Sequence, residues 1–438
     1  FDNLGFKPLG RMPGLKGFSG RLNWENGRGD LHILSTNAEL TDNALFLRPI
    51  HLTYLQGDIN VEKLPDEGYR IRAKQMRGNN HNVNTYLNAS FDIPKEGSPG
   101  INLLASVNLN NLKDVIYYLP TENFSATFID WMKQAFVVGK GETTVIWRGA
   151  LGDHLFPYDA HPSDGTFALK GSLNDVDFQI NHDWPVFKNV MSEVDVLGSH
   201  IKLKVDSGKV LNSTITSLTA DIPKIQKGEA ISLQLSGEID TSGEDLLRYV
   251  KESPLKDNLG NVLKDDVSQG PAELNLSLFL PLERLGEDLK VFGELNLKGV
   301  DYKIHSWPFA FKDAHGLLKF NETGLLPSEI KAIFWNQPLT LAMKTYQSDN
   351  SFGLKGEIES IISMEDIGKY FGYGIDRFIV GDVNYRADFD VKTKRGVVDT
   401  TVEATSNLQG ANIKMPLPLT KPLDAARELN LSLSIHDN

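Results

Sequence analysis

Two histidines, His154 and His161, flank Phe156-Pro157-Tyr158-Asp159, a pairing around an acid from which a metal site could be built. Such a site needs further ligands at zinc-like spacing, and none stands near. The ten histidines are scattered singly, as turn and surface residues are. Gly139-Lys140-Gly141-Glu142-Thr143 has the residue types of a phosphate loop without its spacing of glycine, lysine and hydroxyl, so it reads as a turn into a strand. Asp175 with Asp177, and Glu244 with Asp245, could do general acid and base work. One pair stands in a turn-rich stretch and the other at a helix start. No nucleophile elbow, dinucleotide glycines or zinc-protease helix occurs. The expectation is a protein that is not an enzyme and holds no metal or cofactor.

Composition bounds the rest. The 438 residues could fill two or three ordinary domains, yet no Pro-, Gly- or Ser-rich linker divides them, which favours a single elongated body. A net charge of −12 disfavours nucleic acid or an anionic membrane surface as the main partner. There are no cysteines, hence no disulfide scaffold and no thiolate metal site. The longest apolar runs, Ala135 to Val138 and Val115 to Leu119, fall far short of the ~20 residues that span a bilayer. The chain opens on Phe1, so a processed chain or a piece of a longer one is expected, with any signal or anchor outside it.

Alternation dominates the pattern. Leu274, Leu276, Leu278, Leu280 and Leu282 share one face of a strand, with Asn275, Ser277 and Phe279 on the other. Similar stripes are Ile201, Leu203 and Val205 against Lys202 and Lys204; Ile231, Leu233 and Leu235 against Ser232 and Gln234; and Leu429, Leu431, Leu433 and Ile435 against Asn430, Ser432 and Ser434. Turn residues divide about 24 such strands, and a period of two with one wet face means antiparallel meanders. Helical spacing is confined to Leu112 to Leu119, Ala126 to Phe136, Ser242 to Val250 and Met364 to Phe371. The five-leucine stripe alone represents on the order of 10 kcal/mol of burial, so something apolar must cover it. A second sheet, the same sheet curled on itself, or lipid chains would serve. Open sheets beyond ~10 strands curl or split. The fold class expected is therefore mostly β: a long, twisted antiparallel sheet curled into an elongated groove, with a few short helices.

The chain also repeats itself. Asp177-Phe178-Gln179-Ile180-Asn181-His182-Asp183-Trp184-Pro185 returns as Asp301-Tyr302-Lys303-Ile304-His305-Ser306-Trp307-Pro308, each copy preceded by Gly-x-Leu-Asn (Gly171 to Asn174, Gly293 to Asn296). Repetition at this scale marks a stacked architecture, with modules expected at 1–111, 112–250 and 251–438. Trp184 and Trp307 should pack on apolar sheet surface, with Pro185 and Pro308 at strand starts or breaks.

Two regions carry a resemblance. One runs through Tyr118-Leu119-Pro120, Trp131-Met132-Lys133-Gln134-Ala135-Phe136, Gly139, Trp147-Arg148-Gly149-Ala150-Leu151, Phe156-Pro157-Tyr158, Gly165-x-Phe167 and Trp184-Pro185. The other is Ser406-Asn407-Leu408-Gln409-Gly410 leading to Pro416-Leu417-Pro418-Leu419-Thr420-Lys421. In order and spacing they resemble the periplasmic part of the YhdP branch of the bacterial AsmA-like family, from about residue 100 onward; Asn407 departs from an acidic position in that pattern. The resemblance implies a periplasmic β groove, anchored to the inner membrane by a segment outside this chain. It implies bridge-like transport of phospholipid between inner and outer membranes, with those membranes or their proteins as partners and no catalytic residues. The acyl chains would then lie on Ile201, Leu203, Val205, Ile231, Leu233, Leu235, Leu274, Leu276, Leu278 and Leu280. The alternative is a structural or adhesive β protein whose stripes close into a core.

Overall fold

The computed structural model describes residues 1–8, 14–41, 46–119, 121, 124–151, 157–225, 230–253, 256, 266–282, 288–304, 310–348, 351–371, 374, 377–394 and 397–437. Its strands form one antiparallel sheet of 26 that does not close into a barrel. In chain order they are β1 (Leu4–Phe6), β2 (Gly14–Phe18), β3 (Gly20–Glu25), β4 (Arg28–Thr41), β5 (Ile50–Lys63), β6 (Tyr69–Asn79), β7 (Val83–Ile93), β8 (Gly100–Leu109), β9 (Phe136–Ala150), β10 (Gly165–Phe178), β11 (Phe187–Leu197), β12 (His200–Val210) and β13 (Ser213–Ile222). There follow β14 (Ser232–Ser242), β15 (Val267–Gln269), β16 (Pro271–Pro281), β17 (Lys290–Lys303), β18 (Ala310–Asn321), β19 (Gly324–Leu325), β20 (Ser328–Phe334), β21 (Gln337–Ser348), β22 (Ser351–Ser363), β23 (Ile379–Lys394), β24 (Val397–Ser406), β25 (Ala411–Ile413) and β26 (Leu429–Asp437). The long strands pair with their neighbours in sequence, and the shortest are side branches, as β15 is on β17. The count exceeds the expected 24 because such short bridging pieces carry too little alternation to read.

The helices stand where helical spacing predicts them: a 3-10 helix Leu112–Tyr118, α1 (Ala126–Ala135), α2 (Gly243–Lys251) and α3 (Met364–Phe371). Their starts share a device. Asn111, Ser125, Ser242 and Ser363 each accept a backbone N–H of the first turn, supplying a partner that the helix cannot. Behind the cap, Asp114, Asp245 and Asp366 recur at one offset from Asn111, Ser242 and Ser363, and six long strands separate α2 from the helix before β9 and again from α3.

The Trp-Pro repeat is one backbone path used twice. Leu173 pairs with Ser192, Val176 with Val190 and Phe178 with Phe187; one repeat later Leu297 pairs with Gly316, Val300 with Ala314 and Tyr302 with Phe311. Both copies hold the same bulge. Asn189, at φ 52°, donates its N–H to Asp177 at 3.0 Å, and Asp313, at φ 51°, donates to Asp301 at 2.9 Å. The Gly-x-Leu-Asn lead-ins stand two residues out of step, since it is Leu295 and not Gly293 that takes the place of Gly171. Trp307, Pro308, His154 and most of the expected loop 260–270 lie outside the described residues.

Bulges and inward glycines bend the sheet toward one face. A Cβ at Gly208 on β12 would stand 3.1 Å from both Val190 and Ile215, side chains of the two flanking strands that meet across it. Gly356 likewise lies under the Phe389 ring. Leaning toward that face brings side chains together, and glycine makes the room. The accessible surface of 24900 Å² confirms an open body, for a globular chain of 48.7 kDa would expose roughly 17,000 Å².

Asp245 fixes α2 to the sheet. Its buried carboxyl accepts from Ser213 Oγ (2.8 Å), Asn212 N (3.1 Å) and Asn212 Nδ2 (3.0 Å) in the β12–β13 turn. Asp245→Ala removes the shared acceptor, leaving buried Ser213 Oγ to Thr241 Oγ1 (2.8 Å) and exposed Asn212 to water, and should cost about 1–2 kcal/mol, read as a lower urea midpoint at unchanged slope. A midpoint equal to the parent's would show that α2 is held by other means.

Candidate functional site

Cross-strand pairing lines apolar side chains into lanes on one face. The first lane crosses β6 to β13 as Met76, Leu87, Ala105, Val145, Leu169, Val196, Ile201 and Ile222, each directly opposite the next. A second crosses β11 to β17 as Val194, Leu203, Ala220, Leu235, Leu278 and Val291. A third crosses β16 to β26 as Ala272, Leu297, Gly316, Ile330, Leu341, Ile358, Ala387, Ala404 and Leu431. Ile201 and Leu203 join the first to the second, and Leu278 and Ala272 join the second to the third, always at even spacing and so on the same face.

The opposite face is wet. Lys170, Asp195, Lys202 and Asp221 form a cross-strand row of alternating charge beside the first lane, and Lys204, Gln234, Asn275 and Ser277 are exposed. An exposed apolar row, Leu104, Ile146 and Leu197 with Ala168 between, interrupts this polarity on β8 to β11.

Each of the ten residues picked from the sequence stands on the apolar face, and they divide by cover. Ile201, Leu203, Leu274 and Leu276 are half-buried. Val205, Ile231, Leu233, Leu235, Leu278 and Leu280 are buried, the last five within one packed cluster shared with Phe128, Trp131 and Ala135 of α1 and with Ile180 and Trp184 of the β10–β11 loop. The trough is therefore not open throughout: α1 and this loop lie against its β13–β16 section. Within the cover Phe128 stacks on Trp131 at 5.5 Å, Trp131 meets Phe178 edge-on at 6.1 Å, and Trp131 Nε1 donates to the Ile180 carbonyl at 2.8 Å. Trp184 leans on Tyr249 of α2 at 5.9 Å, and burial raises the pKa of that phenol, keeping it neutral.

Sequence reading missed two parts of this arrangement. The lane residues on other strands sit in stripes too short to stand out singly and become visible only through pairing. The role of α1 was signalled by Phe124, Phe128, Trp131 and Ala135, apolar at helical spacing, which marks a face with something to cover.

Several of the residues first considered for chemistry have structural work. Asp177 holds the bulge, Asp245 anchors α2, and Gly139 to Thr143 lie within β9. Among the described residues no group of His, Asp and Glu is placed to hold a metal, and no helix is long and apolar enough to cross a membrane.

Cover should also be legible in stability. Leu278→Ala opens a cavity beneath the aromatic cluster and should cost about 3 kcal/mol, whereas half-open Leu203→Ala should cost about half of that or less. Equal losses in urea unfolding would show the two sites to be equally enclosed.

A family profile described as YhdP protein matches residues 1–438. A curated relative, the "Intermembrane phospholipid transporter YhdP" of Escherichia coli (strain K12), is 22% identical over 436 residues, covering 99% of this chain and 34% of the relative. The chain thus spans about a third of the length of that relative. No solved structure matches it. With the profile extending over every residue, the chain belongs to the YhdP family.

Proposed function

We propose that this chain is a length of conduit for phospholipid, in which acyl chains lie on the apolar lanes and head groups stay at the wet opening of the trough. The observation that carries the reading is the continuous path of apolar residues from Met76 on β6 to Leu431 on β26, many of them half-buried outside the section that α1 and the β10–β11 loop cover. A closed core would enclose such side chains, since exposing them forfeits roughly 25 cal/mol per Å². The similarity to the E. coli phospholipid transporter supports phospholipid as the cargo. In this reading the three modules, 1–111, 112–250 and 251–438, are successive lengths of one trough. The protein works in the periplasm, held to the inner membrane by a segment beyond this chain, and passes lipid between inner and outer membranes without catalysis. Ile201, Leu203, Val205, Leu274 and Leu276 line the trough beside the cover; Ile231, Leu233, Leu235, Leu278 and Leu280 line it beneath.

Leu203→Asp tests the path. A carboxylate on the lane meets the acyl chain, and desolvating it costs several kcal/mol, so binding of a fluorescent phosphatidylethanolamine by the folded variant should fall about tenfold or more. Lys204→Ser, on the wet face, should bind as the parent does. Equal binding by the two folded variants would place the lipid somewhere other than the lane.

A further inference from the structure

The covered section divides the half-open lane of β6 to β12 from the lane that continues beyond β16. Side chains buried in one cluster with α1 stand where an acyl chain on the lane would lie. Resting on the conduit reading above, we propose that α1 and the β10–β11 loop are a displaceable cover, a surrogate for acyl chains that lipid replaces as it passes.

Three observations carry this. The cover meets the sheet through apolar packing, in one cluster with Leu235 and Leu278. Among the described residues its own hydrogen bonds stay within the unit: Trp131 Nε1 to the Ile180 carbonyl, Gln179 N to the Ala135 carbonyl at 2.9 Å, and Gln179 Nε2 to the Trp184 carbonyl at 2.8 Å. The unit can therefore leave the trough whole, without stranding a polar group. What it uncovers is apolar lane, and an acyl chain lying in its place buries the same surface, so opening in the presence of lipid exchanges one apolar contact for another. The third observation is the latch. Trp184 rests on Tyr249 of α2, and α2 is tied to the sheet through Asp245, so this ring contact joins the moving unit to the fixed one.

The chain has no cysteine, which makes a reversible staple clean. In a Trp184→Cys/Tyr249→Cys variant, a short bis-thiosulfonate reagent would tie the loop to α2, and reductant would release it. The probe is phosphatidylethanolamine with a photoactivatable group in one acyl chain, presented in vesicles, and labelled peptides are located by mass spectrometry. With the staple closed, labelling should persist around Leu169 and Ile201 and be lost around Leu235 and Leu278; reductant should restore it in the same molecules. Persistence at Ile201 shows that the stapled protein is folded and still takes lipid. Equal labelling of Leu278 with the staple closed and released overturns the cover while leaving the conduit standing. No labelling at either place in any state overturns the conduit, and the cover with it.

Discussion

A sheet that is apolar on one face cannot leave that face to water, and every unusual feature of this structure answers that constraint. Strand after strand repeats the same one-sided pattern, and no second sheet lies across it among the described residues. What remains is curvature, patches of helical cover and, in the conduit proposed above, an occupant from outside. Bulges pinned by Asp177 and Asp301, with glycines such as Gly208 on the inward face, supply the curvature. The helices supply the cover only locally.

The helices also discipline the repeat. A strand that runs into a capped helix stops at a fixed place, and the buried Asp245 ties that helix back to the β12–β13 turn. Arg48, in the β4–β5 loop, lies 3.7 Å over the Tyr117 ring of the 3-10 helix, much as Trp184 of the β10–β11 loop lies on Tyr249 of α2. In both places a hairpin loop reaches the helix that follows four strands later. Such braces set the curl at one edge of the sheet, where hydrogen bonding between neighbours alone would leave it free to flatten.

Much of this was legible in the sequence. The stripe Leu274 to Leu282 has a period of two over enough residues to fix both strand and face, and the described helices begin within a residue or two of where capping residues and apolar spacing put them. The repeat was legible because Trp-Pro and the bulge aspartates are rare enough to be noticed twice. The lanes were not, for which residue stands opposite which depends on register, a property of pairs of strands that no single strand carries. Nor was the division of the ten lane residues into covered and half-open, because Leu278 and Leu276 are the same residue on the same stripe and differ only in what a distant helix lays over them. Which donors the acids of the β10 bulge and of α2 hold was not legible, because those donors stand on β11 and in the β12–β13 turn, far off in sequence.

The central claim is that the occupant of the apolar face is phospholipid, and bound lipid is the quantity that tests it most directly. Native mass spectrometry of the gently purified chain, followed by extraction and identification of what it releases, should find phospholipid bound to the folded protein, with acyl chains of ordinary length. A folded chain that carries none, and takes up none after incubation with phospholipid vesicles, would contradict the account.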